Sequence, residues 1–126
     1  MKRLLWWIVL LANCTFVAGC LNSVPLEVRV NQSYSGGSIM LQQGQELVVE
    51  LDTVAPLSWQ VVSGGRKVFS EPVKKSVQTQ RSTLESYVFT ALFVGEDQLR
   101  IEEMQNGSVT PGQSNRVFTL HVVVTK

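Results

Sequence analysis

Phe118, Leu120, Val122 and Val124 alternate with Thr119, His121, Val123 and Thr125. Successive side chains on an extended strand point to opposite faces, so a period of two buries one face and solvates the other. The same period recurs upstream. Leu26, Val28 and Val30 alternate with Glu27 and Arg29, and Ile39 and Leu41 follow. Leu47, Val49 and Leu51 then share a face, Trp59 and Val61 resume the pattern, and Leu99 and Ile101 alternate with Arg100 and Glu102. Tyr87, Phe89 and Ala91 form one face of a strand ending at Phe93. After residue 20 there is no apolar period of 3.6 residues of useful length. Turn residues separate the runs: Ser35-Gly36-Gly37-Ser38, Gln43-Gly44-Gln45, the stretch around Pro56, Gly64-Gly65, Gly95-Glu96-Asp97, and a long loop over 106–114. Residues 66–83 are least regular; Val68-Phe69 reads as a short buried strand, 73–77 as a further strand, and 76–83 as a polar surface loop. Short strands with turn signals at regular spacing predict an all-β antiparallel sandwich of about seven or eight strands.

The first 25 residues follow another logic. Lys2 and Arg3 precede an uninterrupted apolar run, Leu-Leu-Trp-Trp-Ile-Val-Leu-Leu-Ala over 4–12. That run is too short to span a bilayer, which takes about 20 apolar residues, and has the length of a signal-peptide core. Phe16-Val17-Ala18-Gly19-Cys20 follows. Small residues just before a cysteine give a peptidase access to the bond, and the thiol can then carry lipid through a thioether. This stretch resembles the processing site of bacterial lipoproteins. The resemblance implies a signal peptide over 1–19, a diacylglyceryl group on Cys20, a further acyl chain on its amine, a tether over 20–25 and a folded domain over 26–126. Several acyl chains give stable anchoring where one gives marginal binding. Leu21, rather than Asp, follows the cysteine, which implies the outer membrane, facing the periplasm. The five residues 21–25 reach at most roughly 17 Å, so the domain is expected close to the bilayer.

The inventory of reactive side chains is thin. Cys14 and Cys20 are the two cysteines, so the domain carries no disulfide and no thiol site. His121 is the single histidine, on the polar side of its strand, and cannot build a zinc site alone. There is no nucleophile elbow and no phosphate-binding glycine loop. Glu96-Asp97 falls in an expected turn, and Glu102 and Glu103 point to opposite faces of a strand, so neither pair reads as catalytic. Lys74-Lys75 reads as solvated loop, able at most to touch anionic headgroups. Trp59, three residues after Pro56, reads as a core residue at a strand start. Lysine and arginine number 11 against 10 acids; without Lys2 and Arg3 the domain is near neutral and lacks the basic balance expected of a nucleic-acid binder. The expectation is a non-enzyme with no cofactor and no metal.

The domain resembles the chagasin-type inhibitors of papain-like cysteine peptidases. The resemblance rests on Ser38-Ile39-Met40-Leu41, on Gly44-Gln45-Glu46-Leu47-Val48-Val49-Glu50-Leu51, on Trp59, on the run from Glu85 to Gly95, and on Leu99-Arg100-Ile101-Glu102 and Phe118-Thr119-Leu120-His121-Val122. It covers residues 36–125 and implies an Ig-like sandwich that inserts three loops from one end into a peptidase cleft. It places the candidate contacts in three segments: Val54, Ala55, Pro56 and Leu57 with Trp59 behind them; Arg81, Ser82 and Thr83; and Gln105, Asn106 and Gly107. The family's Asn-Pro-Thr-Thr-Gly, glycine-rich and Arg-Pro-Trp loop motifs are absent here. The implied function is a membrane-anchored periplasmic inhibitor of a papain-like or other envelope peptidase. The alternative is a non-inhibitory binding or assembly module of the envelope that uses the same sandwich as a scaffold.

Overall fold

The computed structural model describes residues 26–105 and 116–126. The leader, Cys20, the tether, and Asn106 and Gly107 lie outside the described residues.

Eight strands follow in order: β1 (Glu27–Asn31), β2 (Gly37–Gln42), β3 (Glu46–Thr53), β4 (Leu57–Ser63), β5 (Val73–Gln78), β6 (Thr83–Thr90), β7 (Gly95–Gln105) and β8 (Val117–Thr125). They build two four-stranded sheets, β1-β3-β6-β5 and β2-β8-β7-β4. The all-β sandwich expected from the alternation is the architecture found. Most neighbours are antiparallel, but β1 runs parallel to β3 and β2 runs parallel to β8. Alternation reports which face a residue occupies and carries no information on strand direction, so these two pairs were not legible in it.

The core lies between the sheets. Leu47, Val49, Leu51, Tyr87 and Phe89 come from the first sheet; Leu41, Trp59, Leu99, Ile101, Phe118, Leu120, Val122 and Val124 come from the second. In β8 every second residue is buried from Phe118 to Val124, as period-two patterning requires. Full burial of one such side chain stabilises the fold by about 1.5–3 kcal/mol. Phe69 and Phe89 meet at 5.1 Å between ring centroids in a tilted pair, a favourable geometry for two quadrupoles.

Local readings shift in four places. Gly95, Glu96 and Asp97 are the first residues of β7, paired with Val124, Val123 and Val122, and the turn falls one step earlier. There Leu92, Phe93 and Val94 are exposed, although their composition reads as strand. Pairing to β8, more than 20 residues distant in sequence, decides this boundary, and local composition is overridden. The polar run expected over 76–83 shrinks to a tight connection, because β5 continues to Gln78 and β6 begins at Thr83. Gly37 and Ser38 belong to β2, the turn before them being a 3-10 segment over Gln32–Tyr34. Val68 and Phe69 are buried as expected, with Phe69 in an isolated bridge to Ala91 rather than in a strand of its own.

Two glycines with positive φ separate backbone strain from crowding. At Gly44 (φ +97) an added Cβ would meet nothing within 4 Å; at Gly64 (φ +83) it would lie 1.5 Å from the Gln98 carbonyl oxygen. Gly44→Ala is expected to cost about 1 kcal/mol, the strain alone, and Gly64→Ala about 3 kcal/mol, because β4 must also move off β7. Urea unfolding of the two variants checks this; equal losses would contradict it.

Candidate functional site

Registers gather the candidate loops at one end of the sandwich. Thr53 at the end of β3 pairs with Thr83 at the start of β6. Leu57 at the start of β4 pairs with Gln105 at the end of β7. The β3–β4, β5–β6 and β7–β8 connections therefore leave the same rim. Gln105 is half-buried at that rim, and Asn106 and Gly107 continue beyond the described residues.

In the first loop Val54, Ala55 and Pro56 are exposed and Leu57 is half-buried. The Ala55–Pro56 peptide is cis, and Leu57 N–H donates to the Val54 carbonyl at 3.0 Å. The apolar tip is thus presented to solvent. In the second loop, Thr79 N–H donates to the Ser82 carbonyl at 2.8 Å, and the Thr79 hydroxyl donates to the same carbonyl at 2.8 Å. This closes a hairpin with Gln80 and Arg81 exposed at its tip. Ser82 and Thr83 are half-buried at its base. No glycine is needed to make the turn, because the Thr79 side chain replaces a strained backbone with hydrogen bonds.

Under the rim lies a polar network that the sequence reading missed. Glu103 is buried, on the core face of β7. Its carboxylate accepts from Thr53 Oγ1 at 2.7 Å, from Arg116 Nη2 at 2.7 Å and from Arg116 Nε at 3.2 Å. Arg116 also donates to the Asp52 carbonyl at 2.7 Å and lies over the Trp59 ring at 5.2 Å. Trp59 Nε1–H donates to the same Asp52 carbonyl at 2.9 Å. Burial by itself pushes the Glu103 carboxyl up; the hydrogen bonds from Arg116 and Thr53 and the Arg116 charge outweigh it and hold the group below its ordinary value. The Glu103 hydrogen bond in turn raises Arg116. An arginine thirteen residues after a strand glutamate gives no local signal of this pairing. A glutamate in phase with Leu99 and Ile101 was the available clue.

Trp59 is fully buried. It cannot touch a partner with its ring, and among the candidate residues it acts as the loop's footing. β4 is an edge strand, and the Trp59 peptide groups point away from β7. Glu85, buried on β6, accepts from Trp59 N–H at 2.5 Å. The Trp59 carbonyl accepts from Tyr87 OH at 2.5 Å and from Lys74 Nζ at 2.8 Å. Lys74 Nζ also lies 3.2 Å from Glu85 Oε2 and donates to Ser58 Oγ at 3.1 Å. Lys74 is therefore a residue of β5 turned toward the other sheet, which corrects the reading of Lys74 as solvated loop. Burial first, and the Glu85 charge second, push the Tyr87 phenol up to about 12.

His121 faces outward from β8, with Nε2 3.6 Å from a Glu96 carboxylate oxygen. Among the described residues no group of three histidines, cysteines or acids is placed to hold a metal ion.

Two pH responses follow. A carboxyl held below its unfolded value contributes stability above the unfolded pKa of about 4.3, and loses it as pH falls through the lower folded value. Arg116→Met is expected to cost about 1–2 kcal/mol at pH 7, discounted for the partial exposure of Arg116, and to flatten the loss of stability below about pH 4. A phenol raised above its unfolded value of about 10 contributes stability below that pH and loses it as pH climbs toward about 12. Tyr87→Phe is expected to remove the alkaline decline. Urea midpoints collected across pH 2.5–11.5 check both.

Comparison with known proteins returns structures and no sequences. No family model matches the chain and no curated protein does. A cysteine protease inhibitor from Entamoeba histolytica, EhICP2, superposes with a TM-score of 0.67 at 13% identity, over 79% of this chain and 95% of that one. Amebosin, known from a solution structure, superposes with a TM-score of 0.66 at 19% identity, over 81% of this chain and all of that one. PbICP-C, solved in complex with falcipain-2, superposes with a TM-score of 0.53 at 14% identity, over 79% of this chain and 98% of that one. The chain thus has the chagasin-type β-sandwich fold that these structures share.

Proposed function

We propose that this chain is a membrane-anchored inhibitor of a papain-like or similar cysteine peptidase in the bacterial envelope. The observation that carries the reading is the rim itself. Val54, Ala55 and Pro56 form an exposed apolar tip beside the Arg81 hairpin, and the tip stands on the hydrogen-bonded network of Thr53, Glu103 and Arg116. Solvated turns are usually polar, so an apolar tip on a rigid base fits insertion into a cleft. Holding the loop in one conformation before binding reduces the ordering cost of association. Fold likeness supports the same reading, since PbICP-C was solved with falcipain-2. The inhibitor would act stoichiometrically, by occupying the cleft.

The loops differ in sequence from those the family resemblance would lead one to expect. The contact is accordingly built from Val54, Ala55, Pro56, Leu57, Arg81 and Ser82, with Trp59, Thr83 and Gln105 beneath or beside them. The acyl chains on Cys20 would keep the inhibitor at the periplasmic face of the outer membrane. An envelope assembly role for the same scaffold is the outcome favoured if inhibition is absent.

Titration of the purified protein against papain and a panel of envelope cysteine peptidases tests this. Saturating one-to-one inhibition is expected. Val54→Asp at the tip is expected to weaken it by about 30-fold or more, the size of a hot-spot loss of about 2 kcal/mol. Its urea midpoint is expected to stay that of the parent. No inhibition of any member, with capture of a defined envelope assembly, would replace this reading with the scaffold role.

A further inference from the structure

The end of the sandwich opposite the candidate loops carries a second apolar display. Leu92, Phe93 and Val94, between β6 and β7, are 42%, 56% and 52% exposed. Leu26, where the described chain begins, is 81% exposed. The registers put them at the same end. The Leu26 carbonyl accepts from Glu46 N–H at 2.8 Å, Glu46 pairs with Thr90, and Ala91 exchanges backbone hydrogen bonds with the 43–45 turn. Thr90 then leads straight into Leu92.

Three backbone groups of this tip are paired within the domain. Leu92 N–H and Phe93 N–H both donate to the Val68 carbonyl, at 2.9 and 3.1 Å. The Leu92 carbonyl accepts from Gln43 Nε2 at 2.6 Å. Each peptide group already paired lowers the cost of bringing an apolar loop into a low-dielectric interface, since no water has to be stripped from it. Arg66 and Lys67, exposed on the 64–69 segment that holds Val68, flank the tip. Glu46, Glu71 and Glu96 stand at the same end, so the surface is of mixed charge and its attraction is chiefly apolar.

Where the chain enters decides the occupant. Residue 20 lies six residue steps before Leu26, a reach of at most roughly 22 Å. β3 alone, with eight residues, is about 26 Å long. A lipid on Cys20 therefore holds the Leu26 end toward the bilayer and leaves the opposite rim beyond the tether's reach. We infer that Leu92, Phe93 and Val94 dip into the bilayer interface that holds the Cys20 acyl chains, fixing the domain upright with the Val54 and Arg81 loops pointing away from the membrane. This rests on the lipid anchoring proposed above and adds to it a second contact and an orientation.

The test uses the full chain, processed and acylated in a bacterial host, in vesicles of phosphatidylethanolamine and phosphatidylglycerol at three to one. Phe93→Trp places an indole at the tip, and Gln80→Trp places one at the other rim; Trp59, buried in both, is the common background. With bromine-labelled acyl chains, the tip indole is expected to lose about half or more of its added emission, as burial of about 5–10 Å into the interface requires. The indole at residue 80 is expected to lose none. Leu92→Asp combined with Phe93→Asp is expected to leave flotation with vesicles intact while raising inhibitor-rim quenching in a Gln80→Trp background, because the domain topples. Flotation without tip quenching would overturn the inference and spare the anchor. So would a change of the double variant only in oligomeric state. Failure to float would remove the anchor and this contact together.

Discussion

The peptide group pair of Trp59 is where the two sheets are tied together. β4 is a sheet edge, and at Trp59 both backbone polar groups face away from its only strand partner. In a buried position each would cost about 1–3 kcal/mol if left unmade. The opposite sheet supplies what is missing: a carboxylate from Glu85 for the N–H, and a phenol and an ammonium from Tyr87 and Lys74 for the carbonyl. The arrangement is reciprocal. Glu85 has little exposed surface, so its charge is tolerable because Lys74 and the Trp59 N–H meet it. At Trp59 the arrangement also leaves no free peptide group on the β4 edge for another strand to pair with.

The same tryptophan supports the rim. Its indole N–H and the Arg116 guanidinium share the carbonyl of Asp52, near the end of β3 and two residues before Val54. Thr53, the residue between, is fixed through Glu103. Both roots of the tip are hydrogen-bonded to the core. Chain segments more than 60 residues apart, Asp52 and Arg116, meet here, so the loop's conformation depends on the completed fold rather than on local turn chemistry.

Much of the fold was legible, because period two is a strong constraint. The faces of β3, β6 and β8 follow directly from Leu47-Val49-Leu51, Tyr87-Phe89 and Phe118 to Val124. What was not legible has a common cause. Strand direction in β1 and β2, the start of β7 at Gly95 and the inward position of Glu103 as part of an ion pair all depend on partners remote in sequence. Leu92-Phe93-Val94 has the composition of a strand and forms a loop because no neighbouring strand is there to pair with it. At the rim, the apolar tip at residues 54–56 was readable as unusual, since apolar residues beside a proline are uncommon in a solvated turn. The burial of Trp59 followed from its type, whereas its polar cage did not, since Lys74, Glu85 and Tyr87 carry no spacing that announces a shared target.

The place of β8 has a consequence for how such a chain comes into being. β8 lies between β2 and β7, and β2 pairs residues 37–42 with residues 120–125. Until the final strand is available, β2 has no hydrogen-bonding partner, and the second sheet is reduced to a β7–β4 ribbon. Two-stranded ribbons are marginal in water, and pairings this distant in sequence make folding slow. Any step that keeps residues 117–125 from pairing therefore leaves this sheet open on both sides of the β8 position. Closure of the sandwich thus hangs on one strand that serves two neighbours at once, parallel to one and antiparallel to the other.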